Sequence, residues 1–441
     1  MLFKSADIYS IVSKQAAGGS MANRTHRIIL VAACAMILPC AAFGQNPPVP
    51  SATAPLTMQQ VVDLARVNNP NLLSAHENLL SVKAQEVQAG VRANPYFNVA
   101  GSNITLGPNS NNPYDYNVGV GRLFERGEKR RWRLDGARST TAQTDAQYHN
   151  QEQQTILAVR QAFTNFVLAK AAKKLADDNL KDFKHEVDIG HERLKAGDIA
   201  KLDFERLDLQ LAQFESDESN AVTNAQQASI QLQVLIGYDK PRSDFDVTGD
   251  IVPPVVPFKI EDLEQKALVA RPDYRAAHLG VAVADANVKL AYANGTTDPT
   301  LEADYDRNGP DNSVGFSLSI PLRFFDRNQG NKETSKFSAQ ASRFAEVAAR
   351  NQVFGDVDEA WAGYINAKLL SDRYNGHYLD EAKDILDISK FSYEHGGLAL
   401  IDYLDALRES RSITSDALSS YAQTWMAIHQ LSFATATEVL P

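Results

Sequence analysis

The sequence predicts an α+β membrane protein: long coiled-coil helices joined to four β-strands of bilayer-spanning length, arranged as two copies of one plan. Three observations carry this. Short alternating segments of near ten residues, among them Ser313 to Ile320 in SVGFSLSIPLRFFDRNQGN, read as membrane strands. Proline-free tracts with helical periodicity, from Lys129 to Lys195 and from Asn331 to His395, follow them. The order of features then repeats about two hundred residues apart, on either side of Pro253-Pro254-Val255-Val256-Pro257.

At 441 residues and 44% apolar content the chain is long enough for a sizeable core. Residues 1–44 form a signal-peptide region. Arg24 and Arg27 precede an apolar run from Ile28 to Phe43, and Ala42-Phe43-Gly44 supplies a small-residue cleavage site, with translation starting at Met1 or Met21. That run of about 16 residues is short for a spanning helix. Both cysteines, Cys34 and Cys40, lie within it. Leu38-Pro39-Cys40 is a loose acylation box, and Pro39 argues against lipidation. Cleavage after Gly44 removes four of the 44 basic residues and one of the 54 acidic ones, leaving a balance near −13. An acidic, thiol-free exported chain points away from nucleic acid and excludes disulfides and cysteine metal sites.

A Pro-rich leader, 45–55, opens the mature chain, and the repeats occupy 56–252 and 258–439 around the 253–257 linker. ARVNNPNLLSAH (65–76) matches ALVARPDYRAAH (267–278) at one constant offset. Each copy continues as a helix to Pro95 or Pro299 and then enters a hairpin: Tyr96–Ile104 with Tyr114–Phe124, and Thr300–Arg307 with Ser313–Ile320, joined by LGPNSNNP and GPDN. Four strands cannot close a barrel, and open edges are not tolerated in lipid, so several chains must share one. Pro321 has no N–H to offer a sheet and ends the pairing there. Asp326 to Asn331 then opens the helix, with Asp326 or Asn328 as its cap. Each long tract closes in a glycine turn, at Gly197 or at Gly396-Gly397, and a second helix returns. In the first returning helix Phe204, Leu207, Leu211, Phe214, Ala221, Ala225, Ala228, Leu232 and Leu235 keep a 3-4 spacing, interrupted in polarity by Glu218. This is a coiled-coil seam.

No catalytic pattern is present, whether HExxH, GxSxG or a phosphate loop, and the nine histidines are scattered. His76 and His278 match across the repeat, but one histidine per helix start reads as packing or capping rather than a metal ligand. Asp402 and Asp405, three apart, share a helix face just past the second glycine turn. No cofactor or bound metal is expected.

In order, LTMQQVVDLARVNNPNL, the Gly127/Lys129/Arg130 run, AGDIAKLDFERLDLQLA, SIPLRFFDRNQGN and GGLALIDYLDALRES resemble the TolC-like outer-membrane efflux factors across Leu56 to Val439. The run Arg327-Asn328-Gln329-Gly330 is most similar to the CzcC-type heavy-metal branch, whereas Glu128 departs from the family's Gly-Gly-Lys-Arg. The resemblance implies a homotrimer whose 12-strand outer-membrane barrel continues into a periplasmic helical tunnel. It implies a passive exit duct, not an enzyme, working with a periplasmic adaptor and an inner-membrane pump of the RND type, in contact with outer-membrane lipid. By the same resemblance Asp402 and Asp405 ring the periplasmic aperture. Arg193, Leu194, Gly197, Gly396 and Gly397 form the adaptor-docking tips, and Pro321, Asp326, Arg327, Asn328, Gln329 and Gly330 the strand-to-helix junction. Divalent metal cations are the expected cargo, with drugs or other small organic molecules as the alternative. A soluble periplasmic coiled-coil scaffold explains the helices but not two hairpins of membrane length, and a secreted enzyme lacks any reactive cluster.

Overall fold

The computed structural model describes residues 54–102, 115–257 and 259–439. The signal-peptide region, both cysteines, most of the leader and the loop of the first hairpin lie outside the described residues.

Each half begins with a short helix, a proline-started second helix and a hairpin. α1 (Met58–Asn68) starts in a reciprocal capping box between Thr57 and Gln60, and α2 (Pro70–Gly90) starts from Asn69, whose side chain accepts from the Asn71 and Leu72 amides. β1 (Tyr96–Ser102) and β2 (Asp115–Leu123) follow, then the 68-residue α3 (Lys129–Ala196) and the returning α4 (Lys201–Ile236). At 1.5 Å per residue α3 reaches about 100 Å. The second half runs α5 (Ile260–Ala270), α6 (Pro272–Asn294), β3 (Thr300–Asn308), β4 (Asp311–Ser319), α7 (Gln329–Arg373), a π turn (Tyr374–Tyr378), α8 (Leu379–Glu394) and α9 (Leu400–Thr435).

The four strands form one antiparallel sheet in the order β1-β2-β3-β4, so β2 and β3 zip the two halves together and β1 and β4 are open edges. Strict alternation gives it two unlike faces. Phe97, Val99, Val120, Leu301, Val314, Phe316 and Leu318 stand on an exposed apolar face, and Glu302, Asp304 and Asp306 on the other. On that second face the register sets Gly121, Gly119 and Asn117 opposite the three carboxylates.

The helices bury three apolar clusters. α1, α3 and α4 contribute Val61, Val159, Phe163 and Leu232 to the first. Its counterpart in the second half joins Leu263, Val353, Val357, Tyr364 and Leu431 from α5, α7 and α9. A third, near the glycine turns, is shared by both halves: Phe183, Val187, Leu207 and Phe214 meet Leu400, Tyr403 and Leu404. Every member of the heptad stripe on α4 is buried or half-buried, as a coiled-coil seam requires.

Three expectations need correction and a fourth is refined. The second hairpin turns on two residues, Gly309 (φ 60°) and Pro310, not four, because pairing continues to Asn308↔Asp311. At its far end pairing stops at Thr300↔Ser319, so Ile320 and Pro321 are already outside; Pro299 precedes β3 and leaves them no partner. The tract 331–395 is helical as expected but changes type midway, where the π turn at YNGHY adds a residue to its ladder. Finally, Asn328 occupies the N-cap of α7 without capping it through its side chain. Its backbone is left-handed (φ 60°), and its side-chain amide donates instead to Ala291 O on α6 at 2.7 Å.

Candidate functional site

Two places in the fold collect the residues singled out by sequence: the strand-to-helix junctions and the glycine turns at the far ends of the long helices.

At the second junction Asp326 Oδ1 accepts from the Asn328 amide (2.8 Å) and Gln329 Oε1 from the Arg327 amide (2.9 Å), so the chain turns by local side-chain-to-backbone bonds. Gly330 has open space where its Cβ would be, and nothing within the chain demands glycine there. The first junction has the same backbone. Glu128 sits at the N-cap of α3 with φ 59°, two hundred residues before Asn328. Lys129 is buried beside it and is held by Thr296 O at 2.7 Å and Asp298 Oδ2 at 2.5 Å. That ion pair keeps the Asp298 carboxyl below its ordinary range against the opposing effect of burial.

The glycine turns are built alike. Gly197 (φ 82°) donates to Leu194 O at 3.1 Å, and Asp198 N donates to Arg193 O at 2.9 Å. In the second turn Gly396 (φ 76°) donates to Tyr393 O at 3.1 Å and Gly397 N to Ser392 O at 2.8 Å. Both are Schellman closures, with the left-handed residue at Gly197 and Gly396; Gly397 is the residue after it. Within one chain the structure brings the two turns side by side. The Arg193 guanidinium lies 5.5 Å from the Tyr393 ring centre, and Tyr393 stacks on Tyr403 at 5.2 Å. A cavity of about 380 Å³ opens between them, lined by Glu186, Arg193, Asp198, Tyr393 and Tyr403. Burial, reinforced by the carboxylates of Glu186 and Glu394, pushes the Tyr403 phenol far above its usual range, so it stays a neutral hydroxyl.

Two ion pairs fasten the helices of the second half to those of the first. Lys390 Nζ meets Glu186 Oε1 at 2.5 Å, and that bond holds the lysine charged above its ordinary range. Arg411 meets Asp217 Oδ2 at 2.5 Å while lying 3.9 Å over the Phe214 ring. Sequence reading missed both pairs. Their partners stand 204 and 194 residues apart, too far for any local spacing to reveal.

Asp402 and Asp405 are both exposed in the first turns of α9. Asp405 is bound to Arg408 at 2.7 Å, whereas Asp402 makes no ion pair among the described residues. The i, i+3 spacing of Asp405 and Arg408 was the legible signal for that partner. His76 and His278 are kept apart, His76 edge-on to Tyr148 at 5.8 Å and His278 bound to Glu346 at 2.6 Å. Among the described residues no group of three or more His, Cys, Asp or Glu is placed to hold a metal ion. No helix among them is long and apolar enough to cross a membrane. The arrangement offers surface carboxylates at a helical tip.

Compared with known proteins, residues 61–238 and 263–436 match the family described as outer membrane efflux protein. The chain is 24% identical over 383 residues to the cobalt-zinc-cadmium resistance protein CzcC of Cupriavidus metallidurans, covering 85% of this chain and 89% of that one. It is 23% identical over 377 residues to the outer membrane protein TolC of Vibrio cholerae, covering 80% and 84%. Its fold matches the crystal structure of CusC, a transmembrane channel, with a TM-score of 0.73 at 20% identity over 90% of this chain and 99% of that one.

Proposed function

This chain belongs to the outer membrane efflux protein family, and from that premise we propose that three copies form a passive exit duct for divalent metal cations. The observation that carries the assembly is the sheet. Its edges β1 and β4 are unpaired, one face is apolar, and three such sheets supply the 12 strands of a closed barrel. The helices then continue the barrel as a tunnel. Arg193, Leu194, Gly197, Gly396 and Gly397 present the turns to a periplasmic adaptor, and an inner-membrane pump of the RND type supplies the energy for transport.

At the tunnel end Asp402 and Asp405 from three copies give six carboxylates around the aperture, with Arg408 tempering Asp405. Such a ring concentrates cations. Metal cargo is supported by the likeness to CzcC along most of both chains and by the Arg327-Asn328-Gln329-Gly330 junction. The comparable likeness to TolC supports small organic molecules as the second reading. Deleting the gene separates them. Growth should become more sensitive to zinc, cobalt or cadmium than to lipophilic drugs, and the reverse pattern assigns the duct to drugs.

A further inference from the structure

The strand-to-helix junctions are charged in the opposite sense to the protein that contains them. Residues 122–133 and 321–331 carry eight Lys and Arg against three Asp and Glu, in a chain whose formal balance is −10. Part of that excess is consumed internally: Lys129 pairs with Asp298, Arg133 with Glu125, and Arg131 with Glu128. Arg122, Arg126 and Arg327 are exposed and make no ion pair among the described residues. An arginine held without a carboxylate in an acidic protein is available to an anion from outside.

Their position says which anion. Arg122 stands on the apolar face of the sheet, directly opposite Leu301 at its junction end, with its guanidinium 5.3 Å over the Phe124 ring. Beyond β4 the apolar surface continues past Pro321 through Leu322, Phe324 and Phe325, the last 94% exposed. A membrane-facing surface that ends in aromatic rings and unpaired arginines matches the two halves of a phospholipid: rings at the level of the upper acyl chain, guanidinium at the phosphodiester. Here the lipid face and the basic belt are continuous in one chain.

We propose that the two strand-to-helix junctions form a binding surface for anionic phospholipid headgroups of the periplasmic leaflet, held by Arg122, Arg126 and Arg327. A zwitterionic headgroup carries its own ammonium, which competes for the phosphate and repels the belt, so the surface prefers a net negative lipid. The inference rests on the outer-membrane placement of the family and is independent of which cargo the duct carries.

The test uses the full-chain protein in detergent, titrated with phosphatidylglycerol or with phosphatidylethanolamine of the same acyl chains, with bound lipid counted by mass. Each arginine near a lipid headgroup contributes about a fivefold preference, so the wild type should hold phosphatidylglycerol at least about tenfold more tightly. The Arg122→Gln/Arg126→Gln/Arg327→Gln variant should bind the two lipids alike. Raising salt from about 0.05 M to about 0.5 M should collapse the preference of the wild type, which tests the idea even if the triple variant fails to assemble. Equal binding of both lipids by the wild type overturns the proposal. So does a preference unchanged in the variant or by salt. Inorganic phosphate competing as well as the lipid does the same, because it marks a bare anion site and not a lipid surface.

Discussion

The two descending arms, α3 and the α7–π–α8 run, each start after a left-handed residue, Glu128 or Asn328, and end in the same kind of turn, yet they are held differently. Aligned on Gly197 and Gly396, Phe183 of the first arm corresponds to Ala382 of the second, and Ile189 to Ile388. Phe183 fills the shared cluster and stacks on Phe214 at 4.4 Å, while Ala382 is the only buried residue of α8. Past the π turn, α8 exposes Ile385, Ile388 and Phe391 on one face, Ile388 at 66% against 42% for Ile189. Both arms reach the shared cluster, the second through Leu386 and Tyr393, but the second leaves these three apolar side chains exposed. The difference teaches that similar length and similar ends do not make the arms equivalent. The residues that reach the core decide how firmly each arm is anchored.

The strongest way to break this comparison is at the anchored arm. Phe183→Ala should lower stability by about 3–5 kcal/mol in denaturant titration while leaving the assembled mass unchanged. Phe391→Asp should do the reverse, reducing the mass measured in detergent with little change in the fold of each chain. If both variants behave alike, the arms are equivalent and the exposed stripe has no partner.

The returning helices differ as well, and acid should expose it. His429 of α9 is buried, bonded through Nε2 to the Thr164 hydroxyl at 2.9 Å, where α4 has the exposed Ile230. Burial, with the charge of Arg160 (itself paired with Glu438) adding to it, pushes the imidazole down to about 3 from the ordinary 6.5. The unfolded chain takes up a proton near 6.5 that the folded chain refuses until about 3. Stability from this group is therefore complete above the ordinary value and declines as pH falls toward 3, with a slope of about 1.4 kcal/mol per pH unit. Urea unfolding at neutral pH and at two lower values should show this slope, and His429→Gln should flatten it.

The two tips offer a sharper contrast of smaller size. Asp203 and Arg206 of α4, a pair 3.6 Å apart, stand where α9 has Asp402 and Asp405. Replacing both α9 aspartates by Ala should abolish cation selectivity in planar bilayers and weaken block by trivalent cations about tenfold, about 1.4 kcal/mol. Asp203→Ala should change neither. If the double variant keeps wild-type selectivity and block, the constriction lies elsewhere.

The smallest effect is at the junctions. Glu128 bears a side chain in a left-handed conformation, so Glu128→Gly should stabilise by about 1 kcal/mol in the same titration. Asn328→Gly should gain nothing, because asparagine tolerates that conformation and its bond to Ala291 O would be lost. Equal gains would show that the two junctions are strained alike.

Much of this architecture was legible because it is written in local chemistry. The helix starts at Thr57 and Asn69, the strand alternation in β3 and β4, and the glycine ends of α3 and α8 each need only a few adjacent residues. What escaped depends on distant partners or on fine backbone geometry. The Lys390–Glu186 and Arg411–Asp217 pairs join segments from different repeats. The π turn at Tyr374–Tyr378 leaves no gap in helical periodicity, and Gly376, the one hint, reads equally as an ordinary helical glycine. Asn328 is a residue type that caps helices, and only the proximity of α6 shows that its amide is used elsewhere.

The glycines of the sheet bear on how current divides along such a duct. A Cβ on Gly121 would lie 2.3 Å from the Tyr96 ring, and one on Gly315 would lie 2.5 Å from Asp304 Oδ2. The large side chains of the polar face thus lie flat in hollows of the wall instead of projecting inward. In a closed barrel such a wall would leave the bore wider, and in a series of resistors a wide element drops almost none of the voltage. A substitution filling a hollow, such as Gly121→Ala, would tip Tyr96 into the bore. The measured resistance would rise there only if the barrel had become comparable to the aperture proposed at the other end.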